Sequence, residues 1–188
     1  MKSSVCALLF GALLPTGVLS DQSSEEMERA QNAIALFAQS LKTELVAAMQ
    51  SGGPVNAIDV CHSRADMIAE EISRDRGMQL SRVSTRNRNP ENAAEDWQLA
   101  VLETFGERQQ AGESVKTLTW SETAETSTGL EFRFMKAIPT GGLCLNCHGT
   151  ELSPEVASKL AELYPQDRAV GYRTGEIRGA FVVTSQPD

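Results

Sequence analysis

The sequence predicts an α+β domain built on an antiparallel sheet, and three patterns carry that reading. Amphipathic helical stripes fill the first half, strand-like alternation fills the second, and hairpin-like turn signals such as Arg173-Thr174-Gly175-Glu176 accompany the strands. Ser23 and Glu26 have capping-box spacing, and Met27, Ala30, Ile34, Phe37, Leu41 and Leu45 follow at three- and four-residue intervals. A long N-terminal helix is expected, its stripe read as core, with pairing to a second copy of the chain (a homodimer) as the alternative. Ser51-Gly52-Gly53-Pro54 breaks it, and a second helix should run from about Val55 to Arg76 and end at Gly77. At about 100° per residue, Ile58, Cys61, Ala65, Ile68, Ala69 and Ile72 share one face of that helix. Cys61 falls near the centre of the face, and His62 lies about 80° away at its edge.

Met78 to Thr85 reads as the first strand and Arg86-Asn87-Arg88-Asn89-Pro90 as a polar loop. The next helix is placed by Asn92 as cap with Glu95 three residues on, by the apolar side Trp97, Val101 and Phe105, and by Gly112 as its stop. Three more strands follow: Lys116 to Glu122, Leu130 to Ile138 and Ile177 to Thr184. Between the last two lie a loop from Pro139 to Thr150 and a short helix capped by Ser153, with Pro154 in its first turn.

That loop carries the most specific signal in the chain. Cys144-Leu145-Asn146-Cys147-His148 is a Cys-x-x-Cys-His motif, the attachment pattern for one covalently bound c-type haem (haem c). Two thiols at this spacing can each add to a porphyrin vinyl group, and the adjacent imidazole then reaches the iron as proximal ligand. With 4 Cys and 2 His in 188 residues, chance placement gives the pattern roughly 0.001 times per chain. A redox Cys-x-x-Cys pair or half of a zinc site uses the same thiols. The zinc reading lacks ligands, because Cys61 and His62 are the only other candidates and they are adjacent and far upstream.

Residues 1–20 have the pattern of a secretory leader: Lys2, an apolar run from Val5 to Leu14, Pro15 and Gly17, then Val18-Leu19-Ser20 before Asp21. Cleavage after Ser20 is expected, leaving residues 21–188 as a single domain in the periplasm, without a membrane span in the mature protein. Cys6 leaves with the leader. Three cysteines remain, an odd number that argues against a disulfide framework and fits two thioethers plus one ligand. The net charge of −8 and pI near 4.9 exclude nucleic acid as a natural partner. They fit solubility, or steering of a basic redox partner.

For the second iron position the residues leave Cys61, His62, Met27, Met49, Met67, Met78 and Met135. Methionine raises the reduction potential, a second histidine is intermediate, and a thiolate lowers it. Helical periodicity favours Cys61, which would otherwise be a small buried hydrophobe. Arg82, Arg86 and Arg88 are candidate partners for the haem propionates, against the plainer reading of a solvated turn. Trp97, Phe132 and Phe134 are candidates for porphyrin contact, against ordinary core.

Ala57-Ile58-Asp59-Val60-Cys61, Gly77, Val83-Ser84, Arg86 to Asn92, Asp96-Trp97 and Phe105 resemble a family of exported haem c domains also found as the sensory part of histidine kinases and chemoreceptor-like proteins. The resemblance continues through Phe132-Arg133-Phe134, Cys144 to Gly149, Ala169 to Tyr172 and Gly175 to Ala180, and so spans nearly the whole mature chain. It implies a PAS-like fold and an iron held by His and Cys, which here are His148 and Cys61. No transmitter module follows the domain, so signalling by direct fusion is not expected.

The function expected is a redox or small-gas (CO, NO) sensor that is not an enzyme. It would work by ligand exchange, with reduction weakening the bond to Cys61. An electron-transfer cytochrome serving a redox partner protein is the alternative. A peroxidase-like enzyme is a third reading and would need His62 as its acid–base residue.

Overall fold

The computed structural model describes residues 18–185, so the expected leader through Gly17, Cys6 included, lies outside the described residues. α1 (Val18–Arg76) is folded back on itself. Gly52 and Gly53 leave helical geometry, and Gly53 adopts φ +70°, a conformation open to glycine at little cost. Two long-range contacts set the antiparallel register of the arms: Arg64 pairs with Glu44 at 3.0 Å, and Arg29 donates to the Arg76 carbonyl at 3.1 Å. The turn is sealed by Asn56, whose Nδ2 donates to the Ala48 carbonyl at 3.2 Å. The predicted break is thus the tip of a helical hairpin, with only two residues spent on it.

The strands are β1 (Gln79–Val83), β2 (Thr119–Thr126), β3 (Gly129–Pro139) and β4 (Ile177–Ser185). They form one antiparallel sheet in the order β1-β4-β3-β2. α2 (Asp96–Gln110) covers one face, where Val101 and Phe105 meet Leu118, Met135, Ala137, Ala180 and Val182. The hairpin covers the other, where Ala30, Ile34, Phe37 and Ile68 meet Leu80, Phe132, Phe134 and Val183. The fold is therefore α+β in three layers, as expected. The N-terminal stripe from Met27 to Leu41 packs on the sheet and the second arm as core. Among the described residues no helix is long and apolar enough to cross a membrane.

Three local readings change. α1 begins before Ser23, so Ser23 is no cap; Glu26 instead is buried and accepts from Ser185 Oγ at 2.8 Å, fastening the helix to β4. α2 is capped by Glu95, with Gln98 closing the capping box, three residues later than the Asn92 reading. Asn92 ends a 3-10 turn (Pro90–Asn92), and its carbonyl accepts from the Ser84 amide at 3.0 Å. Arg173 to Glu176 is not a hairpin between consecutive strands. It clips the start of β4 to the end of β3: Gly175 donates to the Thr140 carbonyl, and Thr140 donates to the Glu176 carbonyl, each at 2.8 Å. The true hairpin is Thr126 to Gly129.

Candidate functional site

Residues 140–176 form the connection between β3 and β4 and carry the cysteine motif out beside the hairpin. Cys144 ends a 3-10 turn (Gly142–Cys144), and α3 (Leu145–His148) follows directly. α4 (Pro154–Leu163), capped by Ser153 Oγ on the Val156 amide, then packs Val156 and Leu160 on Ile58 of the second hairpin arm. Lys159 pairs with Asp59 across this contact at 3.0 Å. The sequence expected a loop leading into a helix; the motif itself is helical, which presents Cys144, Cys147 and His148 from one turn.

Behind the motif lies a cavity of about 1140 Å³, measured out to its mouth. Cys144, Cys147 and His148 line it from the β3–β4 connection, Cys61 with Ala57 and Ile58 from the second hairpin arm, and Leu41, Leu45 and Met49 from the first. The remaining side is cationic, with Arg82, Arg86, Arg88 and Arg178. Cys61 and the motif, 83 positions apart in the chain, thus share one chamber. His62 does not line it: the residue is exposed, its ring edge-on to Tyr164 at 5.1 Å between centroids. Of the methionines, Met49 lines the cavity, whereas Met27, Met78 and Met135 belong to the core and Met67 is 54% exposed. Phe132 and Phe134 are core under the hairpin, and Trp97 packs beside Trp120 on the α2 face.

His148 is oriented by its neighbours. Its Nδ1 lies 2.7 Å from the Ala169 carbonyl, which can only accept, so Nδ1 carries the proton and Nε2 keeps its lone pair. This is the arrangement by which proteins hold a metal-binding imidazole in one tautomer. Burial, with the charges of Arg178 and Arg88, pushes His148 down to about 2, so the ring is neutral. Burial pushes the Cys61 thiol up, against the pull of Arg82, Arg178 and Arg88, and it raises Cys147 as well.

Arg88 holds this arrangement together. Its Nε pairs with Asp167 at 3.0 Å, both side chains being largely buried, and its Nη2 donates to the carbonyls of Cys147 and Ala169. Asp167 in turn accepts from the Ala169 amide at 2.8 Å, and Tyr172 donates its amide to the His148 carbonyl at 2.9 Å. Of the three arginines expected to face propionates, Arg88 is therefore engaged in fixing the motif. Arg86 stacks on Tyr172 at 3.7 Å from its ring centre, and Arg82 pairs with Asp66 at 3.3 Å.

Arg178 differs from them. Its Nε is buried without a hydrogen-bond partner, and burial lowers its hold on the proton. Plain alternation would aim Arg178 at the α2 face with Ala180 and Val182. A bulge prevents that: Ile138 pairs with Gly179 while Pro139 pairs with Ile177, so Arg178 is the extra residue and turns into the cavity. Gly179 makes the bulge possible, since at φ +155° a Cβ would lie 2.3 Å from the Val83 carbonyl oxygen. The signal available in the sequence was the lone Gly179 inside a strand pattern. Asp167 gave none.

These residues fit a covalently held haem. Two thiols, a neutral imidazole and a third sulfur line one chamber, and Arg178, whose buried Nε has no partner, marks a place for carboxylate. They do not fit a bare ion, because among the described residues no three His, Cys, Asp or Glu side chains cluster tightly enough to hold one.

Comparison with known proteins agrees with this fold. The family model described as Tll0287-like matches residues 19–186. The crystal structure of the cyanobacterial heme-protein Tll0287 superposes with a TM-score of 0.67, covering 87% of this chain and 96% of that one at 22% identity. No curated protein matches.

Proposed function

This chain belongs to the Tll0287-like family, and from that footing we propose that it is an exported haem c protein that senses redox state or a small gas. Cys144 and Cys147 are the thioether anchors, His148 the proximal ligand and Cys61 the distal one. The observation that carries the reading is the shared chamber, which Cys61 and the motif line together while His62 lies outside. The solved relative is described as a heme-protein, and the leader pattern of residues 1–20 supports a periplasmic setting. Bound here, haem would supply a one-electron centre with two axial positions.

The chain's own residues divide the remaining work. Arg88 and Asp167 hold the motif helix against the Ala169 segment and so keep His148 Nε2 free to coordinate. Arg178 takes a propionate. Cys61, on a face of the second arm, would hold the iron as a thiolate, which favours the oxidised state and would bind less firmly on reduction. The same arm carries Asp59 and Ile58, both in contact with α4, which would give a route from ligand to surface.

Absorption and EPR spectra of the oxidised mature protein beside Cys61→Ser and His62→Ala test the assignment. Loss of the native ligand signature in Cys61→Ser alone is expected; loss in His62→Ala alone would overturn it. Anaerobic reduction under CO should give a CO-bound spectrum, and refusal of CO under all conditions would count against gas sensing. A second reading, electron transfer to a redox partner, is favoured by Leu143, a cavity-lining residue 38% exposed at the rim beside the motif. Fast cycling with both ligands retained would select it. A peroxidase-like reading would need His62, which is exposed beside Tyr164, as its acid–base residue, and peroxide turnover lost in His62→Ala but kept in Cys61→Ala would select it.

A further inference from the structure

We propose that Met49 is a second distal ligand, which takes the iron position that Cys61 gives up when the haem is reduced. The inference rests on the reading above and names what fills the vacated place. Met49 continues the cavity-facing row Leu41, Leu45, Met49 at four-residue spacing on the first arm. It is half-buried yet packs into none of the apolar clusters that absorb Met27, Met78 and Met135. Its side chain is therefore available to the cavity rather than spent on the core.

The hairpin sets its offset from Cys61. Because Glu44 faces Arg64 and Arg29 faces Arg76, Cys61 stands opposite positions 44–47 of the other arm, and Met49 is displaced along the hairpin by about one helical turn, ~5 Å, toward the tip. Both line the same cavity, and three rotatable bonds let a methionine thioether swing within it without moving the helix. The two sulfurs also suit opposite oxidation states. Thiolate favours ferric iron; the neutral thioether favours ferrous and brings no charge to be compensated.

The exchange balances. One electron from a one-electron donor protein reduces the iron, the bond to Cys61 breaks with the sulfur keeping the pair and taking a proton from solvent, and Met49 donates a lone pair with no proton moved. Reoxidation runs the same steps backward. The proximal side, His148 on Ala169, takes no part.

The test uses the mature haem-loaded protein with Met49→Leu, which keeps the volume but cannot ligate, and Cys61→Ser. Absorption and magnetic circular dichroism are recorded oxidised and dithionite-reduced, with CO titrations. Wild type should be six-coordinate and low-spin in both states. Met49→Leu should match it when oxidised but turn five-coordinate and high-spin when reduced. CO affinity should then rise about tenfold if the methionine-bound form holds nine-tenths of the reduced protein. A reduced Met49→Leu spectrum identical to wild type, or a wild type already five-coordinate on reduction, would overturn the proposal. An oxidised Cys61→Ser spectrum identical to wild type would instead remove the Cys61 assignment beneath it, so the two failures are told apart.

Discussion

Under α2 the sheet is closed by apolar side chains, with Phe105, Leu118, Met135 and Ala180 at 0% exposure. On the opposite face the same closure holds beneath the open end of the hairpin, through Phe37, Phe134 and Val183, and then stops toward the tip. There the sheet offers Arg82 and Arg178, the hairpin offers Cys61, and the β3–β4 connection brings His148. The contrast separates what stabilises this protein from what it is for. One face gains its free energy from burial; the other keeps an arginine with a buried, unpartnered Nε and three cysteine sulfurs whose partners the fold itself does not supply.

Substitutions should divide along the same line. Phe105→Ala should have the largest effect, costing about 3–5 kcal/mol in denaturant midpoint whether or not haem is attached. A loss under about 1 kcal/mol would mean that the α2 face is not the main source of stability. Arg88→Ala comes next. Removing one partner of a largely buried pair costs about 3 kcal/mol, and here it also unlatches the motif helix, so the spectrum of the loaded protein should change with the stability. A spectrum unchanged despite lost stability would reduce Arg88 to a structural role. Arg178→Met should be the smallest and opposite in sign without haem, relieving a buried unsatisfied donor by about 1–3 kcal/mol. In the loaded protein it should destabilise and lower the reduction potential, since a cation near the iron is gone. Destabilisation of both forms alike would deny Arg178 its place beside a carboxylate.

The closed face was largely legible in the sequence because periodicity reports burial. The stripe from Met27 to Leu41 and the strands around Phe132, Phe134 and Val183 fall where the alternation places them. Helical periodicity likewise set Cys61 inward and His62 at the edge, and the structure keeps them on different sides of the cavity wall. The cationic side was legible only in part. Arg82, Arg86 and Arg88 all line the cavity, with Arg86 also stacked on Tyr172 and Arg88 paired with Asp167. Arg178 does not stand out in the sequence, because period-two alternation fails at a bulge. The Arg88–Asp167 pair joins residues 79 positions apart, and no local pattern announces such a contact.

The central claim is covalent attachment at Cys144 and Cys147. Intact-mass measurement of the mature protein, exported by cells able to assemble cytochromes c, tests it most directly. The account predicts the mass of the polypeptide plus one haem, retained through acid denaturation and lost in a Cys144→Ser, Cys147→Ser double variant. A colourless product with the mass of the bare polypeptide would contradict it.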